Sequence, residues 1–370
     1  MLFKDIIGQG EASAHLMQSV KEGRIANTQL FLGKPGSGTL PLAIAYARAI
    51  MCTGLGEDDS CGECQNCTMV NGLAHPDLHF SFPIILNAKE RLSDLHLKAW
   101  RKAVLKDPFM NEEDWYDHLG LENKQGVIAK DESLNIMKKL LLRSYGGGYK
   151  IMLMWLPEKM NAAAANKLLK ILEEPADRTV FLLVAESIER ILPTVISRTQ
   201  LFKVPRLSTD AVAQGLSRQV DLSEEERIAI AMRSGGDLNV AIKDANDQNG
   251  QLLDRFRDWM RICFKKDVRA AIGIVDEIAH TGRERQKALL KYGLHMCRQC
   301  LIHEQQLDQL VLSAGTEKGF VEKFSPVLNI ERTDAVQEEL NSAITHIERN
   351  ANSKIVFMDL TFTLFKLIGK

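Results

Sequence analysis

A chain of 370 residues exceeds what a single hydrophobic core organises, so two or three domains are expected. Hydrophobic residues supply 45% and charged residues 26%, the balance of a soluble globular protein, and no apolar run approaches the roughly 20 residues of a membrane span. The formal net charge of -1 argues against a self-sufficient nucleic-acid binder, which would carry a basic surplus to neutralise phosphates. The Met1-Leu2-Phe3-Lys4-Asp5 start lacks a signal-peptide layout, so the expected location is cytoplasmic, with no membrane partner.

Along the first half, short apolar runs alternate with helical patterns, the signature of an α/β unit with a parallel sheet. Strands are predicted at Gln29–Leu32, Ile151–Trp155 and Val180–Val184, and helices at about Pro41–Met51 and Ala162–Glu174, the second stopping at Pro175. The stretch from Ile84 to about Asn123 fits this alternation poorly. It holds a plausible helix (Ser93–Leu105), an acidic turn (Asn111-Glu112-Glu113-Asp114) and two tryptophans, Trp100 and Trp115, and reads as an insertion packed on the α/β domain. After Pro205 the strands cease. Ser223 to Glu226 spells a capping box that opens a helix, Gly235-Gly236 closes it, and Asp237 can cap the next one. Leu252, Leu253, Phe256, Trp259, Met260 and Cys263 then recur at helical spacing, and Ile355 to Leu367 repeats the pattern. The division expected is an α/β domain over 1–205, a small helical domain over 206–248 and a larger helical domain over 249–370.

Gly33-Lys34-Pro35-Gly36-Ser37-Gly38-Thr39-Leu40 follows a predicted strand and opens a predicted helix, where a phosphate-cradling loop belongs. Such a loop needs a lysine and then a Ser or Thr to hold phosphates and magnesium; those places hold Thr39 and Leu40. Lys34 lies five residues too early to substitute, so a tight Gly/Pro turn without a ligand is the favoured reading; the loop shape is expected to persist, and ATP binding is not expected. The strand Ile151–Met154 should end in an acidic pair that holds magnesium, but runs into Trp155-Leu156-Pro157 instead. Glu158 comes too late and reads as a surface carboxylate. Gly146-Gly147-Gly148 lacks a following helix and reads as a plain turn.

The seven cysteines are unevenly spread. Cys52, Cys61, Cys64 and Cys67 offer four thiolates within sixteen residues, enough to surround one tetrahedral zinc with no position open for water, so the site reads as structural. Cys297 and Cys300, flanked by His295 and His303, share one helix face and read as core, as does Cys263.

Taken together, Ile7-Gly8-Gln9, Leu30-Phe31-Leu32-Gly33, the four cysteines, His75-Pro76-Asp77, the run Ala164 to Pro175, and Pro193 to Arg198 resemble the bacterial DNA polymerase III clamp-loader subunits. The resemblance covers about residues 6–205. It implies an AAA+ module followed by helical lid and collar domains. It also implies a place beside gamma/tau and delta subunits in an assembly that loads the sliding clamp on primed DNA. Thr39, Leu40, Trp155 and Leu156 depart from the ATPase pattern of gamma/tau, as does Asn239, where the resemblance leads one to expect an arginine. The expectation is therefore a non-catalytic, delta-prime-type member. An ATPase of gamma/tau type with an unusual site, and a free-standing zinc-dependent nucleic-acid binder, are the alternatives. Ser197-Arg198 matches the family's arginine finger, which implies that Arg198 acts in trans on a neighbour's γ-phosphate.

Overall fold

Leu30, Phe31, Ile151–Met154 and Phe181–Leu183 are all fully shielded from solvent, and runs this apolar satisfy their backbones by pairing side by side between helical layers. A computed structural model describes residues 1–87, 90–121, 125–246, 251–307 and 315–370. The expected domain border at 248/249 and the end of the insertion at 122–123 lie outside these residues. Among the described residues the chain divides into two compact units: 1–219 with 234–242, and 220–233 with 243–370.

In the first unit, α1 (Gly10–Lys21) leads into β1 (Thr28–Leu32), α2 (Thr39–Met51), α3 (Gln65–Asn71) and β2 (Leu78–Ser81). Then come α4 (Leu97–Lys106), α5 (Glu112–His118), α6 (Lys130–Leu141), β3 (Lys150–Trp155), α7 (Ala162–Glu173) and β4 (Thr179–Ala185). The short α8 (Pro193–Ile196), β5 (Gln200–Lys203) and α9 (Thr209–Ser217) complete it. All pairs are parallel, in the order β2-β3-β4-β1-β5, with Leu30 opposite Leu183 and Met152 opposite Phe181. The three predicted strands are present with slightly wider ends. Two more, β2 and β5, flank them at the sheet edges. Each is four residues long, too short for a periodic signal, and is drawn into the sheet by the unpaired edge of its neighbour.

The insertion is part of this unit's core. Trp100 and Trp115 are fully buried; Trp100 stacks on Phe82 at 4.9 Å and Trp115 meets the same ring edge-on at 5.3 Å. Trp115 Nε1 donates to the Pro83 carbonyl at 3.0 Å. The acidic segment expected as a turn is instead the start of α5. Asn111 Oδ1 accepts from the backbone of Glu113 and Asp114, while the Asp114 carboxylate accepts from the Asn111 N–H. That reciprocal cap, with three acids near the positive end of the helix dipole, favours helix over turn.

Residues 220–233 form most of α10 (Glu224–Ser234), and α11 (Leu238–Asn246) begins in the first unit and ends in the second. Ser223 and Glu226 exchange hydrogen bonds at 3.0 and 3.3 Å, the capping box read from the sequence. The second unit continues through α12 (Gln251–Lys265), α13 (Val268–Ala279), α14 (Arg283–Glu304), α15 (Gly315–Phe324), α16 (Ile330–Glu348) and α17 (Ser353–Ile368). Phe256, Trp259, Leu340, Phe357 and Leu364 centre its core, and Trp259 Nε1 reaches Thr361 Oγ1 at 3.0 Å. Cys263, Cys297 and Cys300 are buried in the same core, and burial pushes the Cys263 and Cys300 thiols up to about 12. Neutral thiols in apolar surroundings are packing groups. Arg233 is held there by Asp244 at 3.0 Å and Glu317 at 2.8 Å, so its charge is buried with partners. No helix among the described residues is long and apolar enough to cross a membrane.

Candidate functional site

The glycine loop lies where β1 ends, at the C-terminal edge of the sheet, the side on which open α/β sheets present their ligand crevices. Gly33 N–H bonds to the Ala185 carbonyl at 3.1 Å, and Gln9 Nε2 bridges the carbonyls of Ser37 and Pro205 at 2.8 Å each. Gly36 and Gly38 take φ of 69° and 84°, the left-handed region that side chains disfavour. The loop shape expected from the sequence is therefore present, with α2 opening at Thr39. Its side-chain hydroxyls are turned inward. Ser37 Oγ donates to the Lys34 carbonyl at 2.7 Å and lies 2.8 Å from Thr39 Oγ1, while Leu40 is buried in the core.

Trp155, at the end of β3, packs toward Trp100 at 6.4 Å, so the place expected for an acid belongs to an aromatic cluster reaching into the insertion. Leu156 follows at φ 57° and is buried. Glu158 is not the surface carboxylate expected. Its Oε1 accepts from the N–H groups of Glu186 at 2.8 Å and Ser187 at 3.3 Å, tying the segment after β3 to the end of β4. Sequence reading missed this because both donors lie 28 and 29 residues downstream.

Glu186 lines the crevice beside the loop. Burial first, then the charges of Glu158, Glu112 and Asp237, push its carboxyl up to about 8. The unfolded side chain titrates near 4.5, so between the two values the folded state binds more protons and stability falls as pH rises from about 4.5 to 8. Glu186→Gln removes that linkage. The variant is expected to gain stability on wild type between pH 5 and pH 8, read as the difference in urea midpoints. An identical difference at both pH values would contradict the shift.

Cys52, Cys61, Cys64 and Cys67 do converge: their sulfurs lie within 4.8 Å of one another. The Cys52–Cys61 and Cys61–Cys67 separations are 3.6 and 3.9 Å, close to the about 3.8 Å edge of a tetrahedron with 2.3 Å metal–sulfur bonds. Three backbone N–H groups point at sulfur: Cys61 to Cys52 and Cys64 to Cys61 at 3.3 Å, and Cys67 to Cys64 at 3.4 Å. Burial pushes the Cys52 thiol up to about 12. Burial acts the same way on Cys64, but donors from Thr53 and Cys67 outweigh it and bring that thiol down to about 5. Four thiolates this close repel one another, and a divalent cation removes the conflict. The donor set could hold a metal ion. Gly62, at φ 82°, allows the turn, and a Cβ there would lie 3.1 Å from the Arg48 guanidinium. Arg48 in turn donates to the Met1 carbonyl and Asn71 Oδ1 at 2.8 Å, joining α2, α3 and the N-terminus around the cluster.

Arg198 stands after α8, away from the cysteines in sequence and element. Its Nε meets Glu173 Oε2 at 2.7 Å, its Nη1 donates to the Thr194 carbonyl at 3.0 Å, and its side chain is 30% exposed, enough for the head group to be reached from solvent.

A five-stranded parallel sheet with a glycine loop after its fourth strand in spatial order, followed by helix-rich sequence, makes the fold an AAA+ P-loop-type α/β module with helical additions. The chain belongs to the family described as DNA polymerase III, delta subunit, which matches residues 8–208. It is 30% identical to the delta' subunit of Bacillus subtilis DNA polymerase III over 55% of this chain and 50% of that protein, so the match spans half of the relative's length. The Haemophilus influenzae delta' subunit is 25% identical over 84% of this chain and 81% of its own length. The tau subunit of Bacillus subtilis is 24% identical over 60% of this chain and 32% of its own.

Proposed function

We propose that the chain is a non-catalytic, delta-prime-type subunit of a DNA polymerase III clamp loader, working in the cytoplasm. In this reading it sits beside gamma/tau and delta subunits, helps load the sliding clamp on primed DNA through the assembled complex, and donates Arg198 to a neighbouring ATPase subunit. Residues 206–248 act as lid and 249–370 as collar. Cys52, Cys61, Cys64 and Cys67 hold one structural zinc.

The observation that carries this reading is the state of the loop. Thr39 is hydrogen-bonded within the loop, Leu40 is in the core, Trp155 belongs to an aromatic cluster, and Asn239 is buried. None of these supplies the lysine that holds the β/γ phosphates or the carboxylate that holds magnesium, whereas Arg198 keeps a reachable guanidinium. The similarity to a tau subunit favours a second reading, an ATPase with an unusual site. Purified chain with MgATP separates the two. No turnover is expected, and Thr39→Lys alone should not create it, since Trp155 and Leu156 still position neither metal nor water. Magnesium-dependent hydrolysis by the unaltered chain would decide for the ATPase.

A further inference from the structure

We propose that the turn at Asp107–Met110 of the insertion is a built-in occupant of the glycine loop, closing it to nucleotides independently of the missing lysine. The inference rests on reading residues 33–40 as a phosphate-type loop and gives the insertion a task. Three contacts carry it, all within the first unit.

The Phe109 ring lies on the loop: a Cβ at Gly38 would stand 3.1 Å from Phe109 Cε1. Asp107 Oδ1 accepts from the Phe109 N–H at 2.9 Å and shapes the turn that brings the ring there. On the other side, the carboxylate of Asp237 presses on Gly36, where a Cβ would fall 1.9 Å from Oδ1, and the Leu238 N–H donates to the Gly36 carbonyl at 3.2 Å. A carboxylate at that point repels the phosphates such loops accept. Asn239 then joins the two covers. Its amide donates to Asp107 at 3.1 Å and to Asp114 at 2.8 Å, so the start of α11 and the insertion hold each other over the loop. About 20 Å³ of water-accessible space is left. That is room for about one water. The resemblance leads one to expect at Asn239 an arginine that answers to nucleotide. Here an amide answers to two carboxylates of the same chain, so the closed arrangement needs no ligand.

The test uses a fluorescent MgATP analogue and the full-length chain. Thr39→Lys with Leu40→Thr restores the lysine and hydroxyl, and this double variant is expected to remain without measurable binding. Adding Phe109→Ala should bring measurable binding, at least tenfold tighter than the detection limit below which the double variant stays. Equal affinity with and without Phe109→Ala, or no binding by the triple variant, overturns the proposal. Binding by the unaltered chain would overturn it together with the non-catalytic reading, so the two failures are distinguishable. Circular dichroism confirms folding. If the lysine-bearing chains do not fold, Phe109→Ala and Phe109→Leu alone serve, read by amide hydrogen exchange. Residues 36–40 and 238–241 should exchange at least tenfold faster in the alanine variant, and unchanged exchange overturns the idea.

Discussion

Arg198→Ala in this subunit alone is expected to lower clamp- and DNA-stimulated ATP hydrolysis by a reconstituted clamp loader while leaving assembly intact. The arginine is exposed enough to be reached from solvent, and its cis contacts, to Glu173 and the Thr194 carbonyl, are those of a surface group. Removing them should change the stability of the isolated chain by no more than about 0.5 kcal/mol. A trans guanidinium in phosphoryl transfer is worth about 10³ to 10⁵ in rate at the site it serves, because it places fixed charge and two donors on the transition state. The loss over a whole assembly should be smaller, since the family resemblance implies further arginines at other interfaces. Arg198→Lys restores charge without the planar fork and should recover little. An unchanged rate in a correctly assembled complex would reduce Arg198 to a partner of Glu173.

The second large effect concerns the cysteine cluster. Protein made without added metal should carry close to one zinc per chain, and Cys64→Ser should abolish it. Structural zinc is worth about 10–16 kcal/mol to peptides that have no other core. Here α2 and the sheet keep their own core, so the damage should centre on residues 52–67 and their ties to the N-terminus, such as the Lys4 N–H to Asp59 at 3.1 Å. A loss of more than about 4 kcal/mol is expected, the far tail of single substitutions where loss of a metal belongs. For a unit of this size that lowers Tm by about 8–16 °C. Four freely titrating thiols in a folded, metal-free protein of unchanged Tm would exclude the zinc.

Where chemistry is local in the chain, it was legible. The Cys52–Cys67 spacing announces a four-sulfur cluster because its ligands close over short loops. The Ser223–Glu226 box and the buried strands follow from neighbouring side chains and from apolar runs that leave no alternative to burial. The absence of a lysine at position 39, where Thr39 stands, is likewise a fact of the sequence, whatever the fold does with it. Other features were decided only by residues brought together from afar. Strands β2 and β5 exist because a neighbouring strand offers unpaired backbone, not because four residues prefer to be extended. Glu158 looks like a solvated acid until the end of β4 lays two N–H groups on it. The acidic stretch after Asn111 is helix rather than turn because its cap is made good and Trp115 is anchored on Pro83. Asn239 shows the same thing most plainly. Alone it is a polar residue near a helix start. Its meeting with Asp107 and Asp114, 132 and 125 residues earlier, depends on how the insertion folds back across the sheet edge. Local spacing and propensity cannot encode that, because the energy lies in contacts that exist only once the tertiary structure has formed.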